Sequence, residues 1–388
     1  MSRFHLGGAA LLAAALSAAP AGAQSLLSSA GLGYLLDPID ARSRGMGYVA
    51  LGLPEPSLSL VNVADAAGLP AAGLTITLQT DVLQGKPAGG SDGLDFNTTR
   101  FPAIEAAFPA GPRAVVTVGY GAVLDQNWSA VREDSVMISG KNRFAQDRFL
   151  SRGAVSRFRA GLAYHVRPRL DVGVGVDVYT GAVNDSVSRV FPNEIGVLFP
   201  SATGTQYEWQ GLGFTAGARY RAPAFTVSAA VTAAGDLTAA PKDSVGTERS
   251  YALPLTVDGG ASAQISQATR LAASVRWSGW SAAGENFVTA DQARDVMQAG
   301  GGIEYSGLRF LNRPLPVRLG ARWAQLPFRY GTGEFADERA LTAGLGVVIG
   351  GGQATLNLSG ERGMRGGDAA GIDESFWRVA FSLSLLGR

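Results

Sequence analysis

An alternation of period two is the feature that most narrows what this chain can fold into. In Leu170–Thr180 the even positions are Leu170, Val172, Val174, Val176 and Val178, and the odd ones are Asp171, Gly173, Gly175, Asp177 and Tyr179. Successive side chains of a strand point to opposite faces, so one face is aliphatic and the other small or polar. Leu341–Ile349 and Ala354–Glu361 repeat the pattern. The parity predicts strands near 72–83, 99–110, 112–123, 153–166, 169–180, 207–221 and 224–233, then 252–266, 269–280, 297–306, 315–325, 338–350, 352–361 and 373–386. Many of these fourteen reach the roughly ten residues that a tilted membrane strand needs, against about five or six for a soluble one.

The connections follow a rule of their own. Residues 111, 167–168, 222–223, 267–268, 307–314 and 351 are short turns. Residues 84–98, 124–152, 181–206, 234–250, 281–296, 326–337 and 362–372 are longer and more polar. Strict alternation of short and long predicts an all-β, fourteen-stranded antiparallel transmembrane β-barrel with tight periplasmic turns and long outer loops. On that orientation Trp277, Trp323 and Trp377 fall on the apolar parity near outer strand ends, and Tyr164, Tyr220 and Tyr305 near periplasmic ends. Amphipathic rings favour the two membrane interfaces. An even strand number leaves both barrel ends in the periplasm.

The remaining organisation is set by the N-terminus. Met1–Ala23 has a basic start at Arg3, an apolar run Leu6–Ala19 and the small-x-small site Ala21-Gly22-Ala23. That predicts a cleaved signal peptide over residues 1–23 and export to the outer membrane of a two-membrane bacterium. Residues 24–71 lack strands and are rich in Gly, Ser, Pro and Leu. They are expected to form a hatch, or plug, inside the barrel of residues 72–388; a partly ordered periplasmic extension is the alternative. Composition agrees with a lipid-facing protein: 52 Gly, 46% hydrophobic and 17% charged residues.

Several functions are disfavoured. A net charge of +1 argues against nucleic acid as a partner. There is no cysteine, and of the two histidines His5 leaves with the signal peptide. His165, on the inward parity, has no nucleophile paired with it, so no enzyme, metal site or cofactor is expected. The runs Gly300–Gly302 and Gly350–Gly352 lack the lysine and helix of a phosphate loop and read as bends or close packing.

Three stretches carry a family resemblance. Ala41-Arg42-Ser43-Arg44-Gly45-Met46-Gly47 precedes Asn62 and Ala67-Gly68-Leu69; Leu253–Gly260 continues through Leu271 to Trp280; Leu315–Gly320 is followed by Leu326-Pro327-Phe328 and a closing Glu361-Arg362-Gly363, Glu374-Ser375 and Arg378. Together they resemble the FadL/PorV-like outer-membrane family. Departures are Val63 where that family has the Pro of its Asn-Pro-Ala-Gly stretch, and Arg388 in place of a terminal aromatic. The resemblance implies a barrel whose N-terminal hatch carries Arg42, Gly45, Met46, Gly47 and Asn62. It also implies passive uptake of hydrophobic or amphipathic small molecules such as long-chain fatty acids, through a wall in contact with outer-membrane lipids. Ligand binding near Gly45–Gly47 would shift the hatch. PorV-like members imply an alternative, a partner or scaffold for secretion-machinery or surface-attachment proteins.

The inward parity collects Arg157, Arg159, Arg219, Arg270, Arg276, Arg318, Arg322 and Arg378 against Glu105, Asp171, Asp177, Asp258, Glu304 and Glu361. Cross-strand ion pairs are one reading, since buried charges need partners. A carboxylate-binding lumen is the other, because Arg matches planar carboxylates. For that role Arg318 and Arg322, four apart on one strand face, come first, with Arg157 and Arg159 beside them.

Overall fold

The computed structural model describes residues 25–387 except 88–93, 193–197, 244–245, 288 and 311–312, so the expected signal peptide lies outside the described residues. Fourteen antiparallel strands form one closed ring. They are β1 Gly73–Pro87, β2 Leu94–Pro109, β3 Ala114–Asp125 resumed over Trp128–Ile138, β4 Lys141–Arg167, β5 Leu170–Val190, β6 Ser201–Arg221 and β7 Phe225–Ala234 resumed over Asp236–Pro241. The rest are β8 Arg249–Ala252 resumed over Thr256–Gln264, β9 Thr269–Ser278, β10 Val296–Tyr305, β11 Val317–Gln325, β12 Asp337–Ile349, β13 Ala354–Gly367 and β14 Ile372–Leu386. Closure runs from Gly73↔Leu386 to Pro87↔Ile372, so the first and last strands leave no free edge.

The parity holds around the ring. Val174, Val176 and Val178 of β5 are exposed on the outer face, whereas Asp171 and Asp177 are fully buried inside. Phe158, Phe214, Leu271, Leu319, Leu341 and Val379 continue the exposed apolar belt. A monomer in water rarely exposes more than a few hundred Å² of contiguous apolar surface, so this belt marks hydrocarbon as its solvent. Trp277 and Trp377 are exposed at one rim, and Tyr164, Tyr220 and Tyr305 at the other.

The structure corrects the expected outer loops. Much of 124–152 and 181–206 is strand: Trp128–Ile138 pairs with Lys141–Ser151, and β5 and β6 stay paired out to Arg189↔Ser201. Beyond the membrane both faces of a hairpin meet water, so alternation vanishes while backbone pairing continues. Trp128–Ile138 shows this in its almost uniformly exposed side chains.

The segment before β1 lies within the ring. It holds a helical turn α1, Ala41–Gly45, capped by the Asp40 side chain accepting from Ser43 N at 2.8 Å. Inward glycines make the room. A Cβ on Gly300 would sit 1.8 Å from the Gly47 carbonyl oxygen, one on Gly173 2.4 Å from Ala64 N, and one on Gly260 2.6 Å from the Leu51 carbonyl. Backbone of the segment therefore rests directly on backbone of the wall. Gly47 itself has φ 73°, a conformation that suits glycine.

Candidate functional site in the barrel lumen

Charge fixes the segment to the wall. Tyr48 Oη donates to Glu361 at 2.9 Å and accepts from Arg378 Nη1 at 2.7 Å. Arg322 holds Glu361 at 2.7 Å, contacts Glu338, and stacks over the Tyr48 ring at 3.9 Å. Arg219, fully buried, binds Asp171 and donates to the carbonyls of Glu55, Asp65 and Ala67 at 3.3, 3.0 and 3.0 Å. Toward the periplasmic mouth Arg42 of α1, Arg270 and Arg318 converge on Glu304 at 2.8, 3.2 and 2.6 Å. Burial lifts the Asp65 carboxyl to about 7, helped by the charge of Asp171 and opposed by Arg219. Glu55 is also pushed up by burial, but Arg42 and Arg270 outweigh this and hold it below the ordinary value.

Between the segment and the wall remains a cavity of about 140 Å³. Leu35, Leu36, Leu60, Val123, Leu253 and Trp280 supply an apolar side, and Asp37, Arg157, Asp258, Arg276, Arg322 and Glu338 a charged one. An aromatic run leads from it toward the outer mouth. Trp280 meets Phe328, Phe328 meets Phe287, Phe287 meets Tyr251 and Tyr251 stacks on Trp209, with centroids 5.2, 5.8, 5.3 and 5.9 Å apart. Trp209 and Tyr251 line a second chamber of about 180 Å³, whose other walls are mainly polar.

The wall beside the cavity is interrupted. Strands β2 and β3 pair from Pro109↔Val115 to Ala103↔Gly121, and no β2–β3 pair beyond that is found among the described residues. A bulge between Ala122 and Leu124 turns β3 away while it keeps its pairing with β4. The vacated edge is taken by Tyr34 and Leu35, paired with Asp125 and Leu124, and by Leu36 N donating to the Val123 carbonyl at 2.8 Å. Arg100 spans the gap from Asp81 to Asp125, 3.0 Å from each. The seam is thus closed by residues of the N-terminal segment and one side chain.

The arginines singled out in the sequence divide between places. Arg322 and Arg157 line the cavity, and Arg157 and Arg159 both donate to the Leu60 carbonyl. Arg159 also clasps Asp177 at 2.6 Å. Arg318 lies in a separate periplasmic-side chamber of about 380 Å³ with Arg42, Glu55 and Arg270. All four are bound to protein acceptors, the ion-paired reading of the lumen. Met46 is fully buried, Gly45 abuts Gly344, and Asn62 caps a 3-10 turn over Val63–Ala66. His165 meets Asp171 at 2.6 Å. Parity did not reveal Tyr34, Leu35 or Arg100; only the bulge in β3 gives them their role.

Ring closure, the apolar belt and the filled interior define a transmembrane β-barrel. Solved structures agree on the fold: a FadL homologue of Pseudomonas aeruginosa (TM-score 0.60, 13% identity, 90% of this chain and 98% of that one), the toluene transporter TodX of P. putida (0.59, 16%, 90% and 99%) and the monoaromatic hydrocarbon channel CymD (0.56, 15%, 94% and 99%). The family model described as BamG matches residues 1–253, and the chain belongs to the BamG family. No curated protein sequence matches it.

Proposed function

We propose that the chain is an outer-membrane channel for passive uptake of small hydrophobic or amphipathic molecules, with residues 24–71 as its hatch. The observation that carries this reading is the adjacency of cavity and wall gap: Leu35, Leu36 and Val123 belong to both. A molecule guided along the aromatic run to the cavity would leave sideways into the bilayer once Tyr34–Leu36 moved. It would then never cross the charged periplasmic half of the lumen, where an apolar solute gains nothing. The size of the cavity, about 140 Å³, resembles that of dry engineered cavities that take up benzene. A single-ring solute therefore fits with the hatch in place, whereas a long-chain fatty acid requires it to shift. Arg157 and Arg322, which line the cavity, would meet a polar head first; these two, like Arg318 and Arg159, would bind it only by exchanging present partners.

TodX is a toluene transporter and CymD a monoaromatic hydrocarbon channel, which favours the smaller cargo. The test is transfer of toluene and of a labelled fatty acid into liposomes carrying the protein, with planar-bilayer conductance in parallel. Faster toluene transfer than in empty liposomes is expected, with low conductance that rises on deletion of residues 25–71. A large open conductance from the intact protein would sink the hatch. The tall hairpins β3–β4 and β5–β6, braced by Asp147 between Arg132 and Arg189, favour a second reading as a scaffold for secretion-machinery proteins. Stoichiometric co-purification of large partners without any solute transfer would support it instead.

A further inference from the structure

The outer wall over β9 to β12 carries small residues where most of the belt is bulky. Ala273, Gly301 and Ala321 form one cross-strand row with Leu341, and Ala299 lies in the row above. The result is a lipid-facing groove of about 820 Å³ floored by Ala273, Ala299 and Ala321. Two arginines flank it on the β12–β13 side, diagonal to one another across a shared register: Arg339 on β12 in the row of Ala299, and Arg362 on β13 in the row of Ala273 and Ala321. Each is in the row of an interfacial tryptophan, Arg339 opposite Trp323 and Arg362 opposite Trp377.

Both guanidiniums face the lipid, not the lumen. Arg362 lies over the Trp377 ring at 5.5 Å and, among the described residues, donates only to the Phe376 carbonyl, at 3.1 Å. Arg339 has no acidic partner among the described residues. Glu338, next to it, is buried and held by Arg322 and Arg365, and Asp337, two residues away on its own face, is occupied by Arg294 at 2.8 Å and Trp323 Nε1 at 3.1 Å. An arginine on the lipid face is costly toward the midplane and tolerable near an interface, where an anion can pair with it. Its planar fork suits phosphate oxygens.

We propose that this groove binds a phosphate-bearing lipid of the outer leaflet, with one acyl chain along Ala273, Ala299 and Ala321 and the phosphate between Arg339 and Arg362. The charge of this side selects an anionic head, and the missing side-chain volume beside it selects a chain. The site depends on the barrel wall alone and stands or falls apart from any uptake activity.

The experiment uses the full protein in zwitterionic nanodiscs and compares fluorescent phosphatidic acid with phosphatidylcholine of the same chains. Phosphatidic acid is expected to bind at least tenfold more tightly, and the Arg339→Gln/Arg362→Gln variant should bring the two within twofold. Ala321→Leu, which fills the floor, should weaken both lipids several-fold while the preference persists. Equal binding of the two lipids by the wild type would overturn the proposal. So would a preference that survives the double variant, full competition by millimolar inorganic phosphate, or displacement of lipid by a second copy of the chain. If the double variant does not fold, the Ala321→Leu result decides.

Discussion

At the scale of single residues, the lumen is organised around groups whose loss leaves a charge stranded. Arg219 is the clearest, since one guanidinium holds Asp171 and three carbonyls of the N-terminal segment. Arg219→Met should cost roughly 3–5 kcal/mol and free the segment for protease cleavage near Glu55–Ala67. Arg219→Lys should recover only part, because an ammonium cannot reproduce the fork. Denaturant titration of folded barrel on gels checks the first, and a loss below about 0.5 kcal/mol would be incompatible with this role. Asp65 makes a pH prediction. With the segment docked its carboxyl titrates near 7, above the ordinary value of about 3.9, so the docked state binds the proton more tightly. Docking strength is therefore fully present below about pH 4 and declines as pH rises toward 7, with Arg219 and Asp171 as the facing charges. Proteolysis of the segment should quicken between pH 5 and 8 in the wild type and stay flat in Asp65→Asn. Inward parity made many of the charged residues legible, though not Asp81, Glu338, Arg365 or Glu374, and not their pairing. Which carboxylate meets which arginine depends on strand stagger and on carbonyls such as that of Leu60, neither of which has a sequence signal.

Elements were legible where they are embedded. Inside the bilayer each strand divides one apolar solvent from one polar interior, so the alternation in Leu170–Thr180 was unambiguous. Above it, Trp128–Ile138 has no such division and read as loop, as did most of 181–206. Glycine was legible as close packing, though not as a seat for another backbone. That role is testable through pairs of substitutions. Gly300→Ala places a methyl against the Gly47 carbonyl, and Gly320→Ala places one 2.3 Å from Gly47 N. Neither neighbour is a flexible side-chain tip, so the segment must lift. Conductance in planar bilayers should rise severalfold in both variants while the barrel keeps its folded gel mobility. Gly360→Ala, with nothing within 4 Å of the added atom, should match the wild type. Unchanged conductance in Gly300→Ala would mean that the segment is not the barrier.

Across the whole molecule, the ring is complete except where β2 and β3 part, and the filler of that opening belongs to the segment and not to the wall. This arrangement lay beyond the sequence, because a bulge at Ala122–Leu124 leaves parity almost untouched. Its importance can be read through a crosslink. The chain contains no cysteine, so Leu35→Cys/Leu124→Cys, placed at register partners, gives a disulfide without background. Oxidation should cut transfer of a hydrophobic probe into liposomes at least tenfold, with reductant restoring it. Equal rates in both redox states would exclude the gap as the route.

Ring closure also imposes an order in time. The segment precedes every strand in the chain, yet Ser25 Oγ donates to Glu374 at 2.9 Å and Ala41 N to Ser382 at 2.7 Å, both on β14. Those anchors are 349 and 341 residues away, and they arrive last at the translocon and at the membrane. Until β14 seats against β1, the segment lacks these anchors and the sheet has two open edges. The final step of assembly must therefore zip the seam and imprison the segment together, and a chain truncated before Ile372 would accomplish neither.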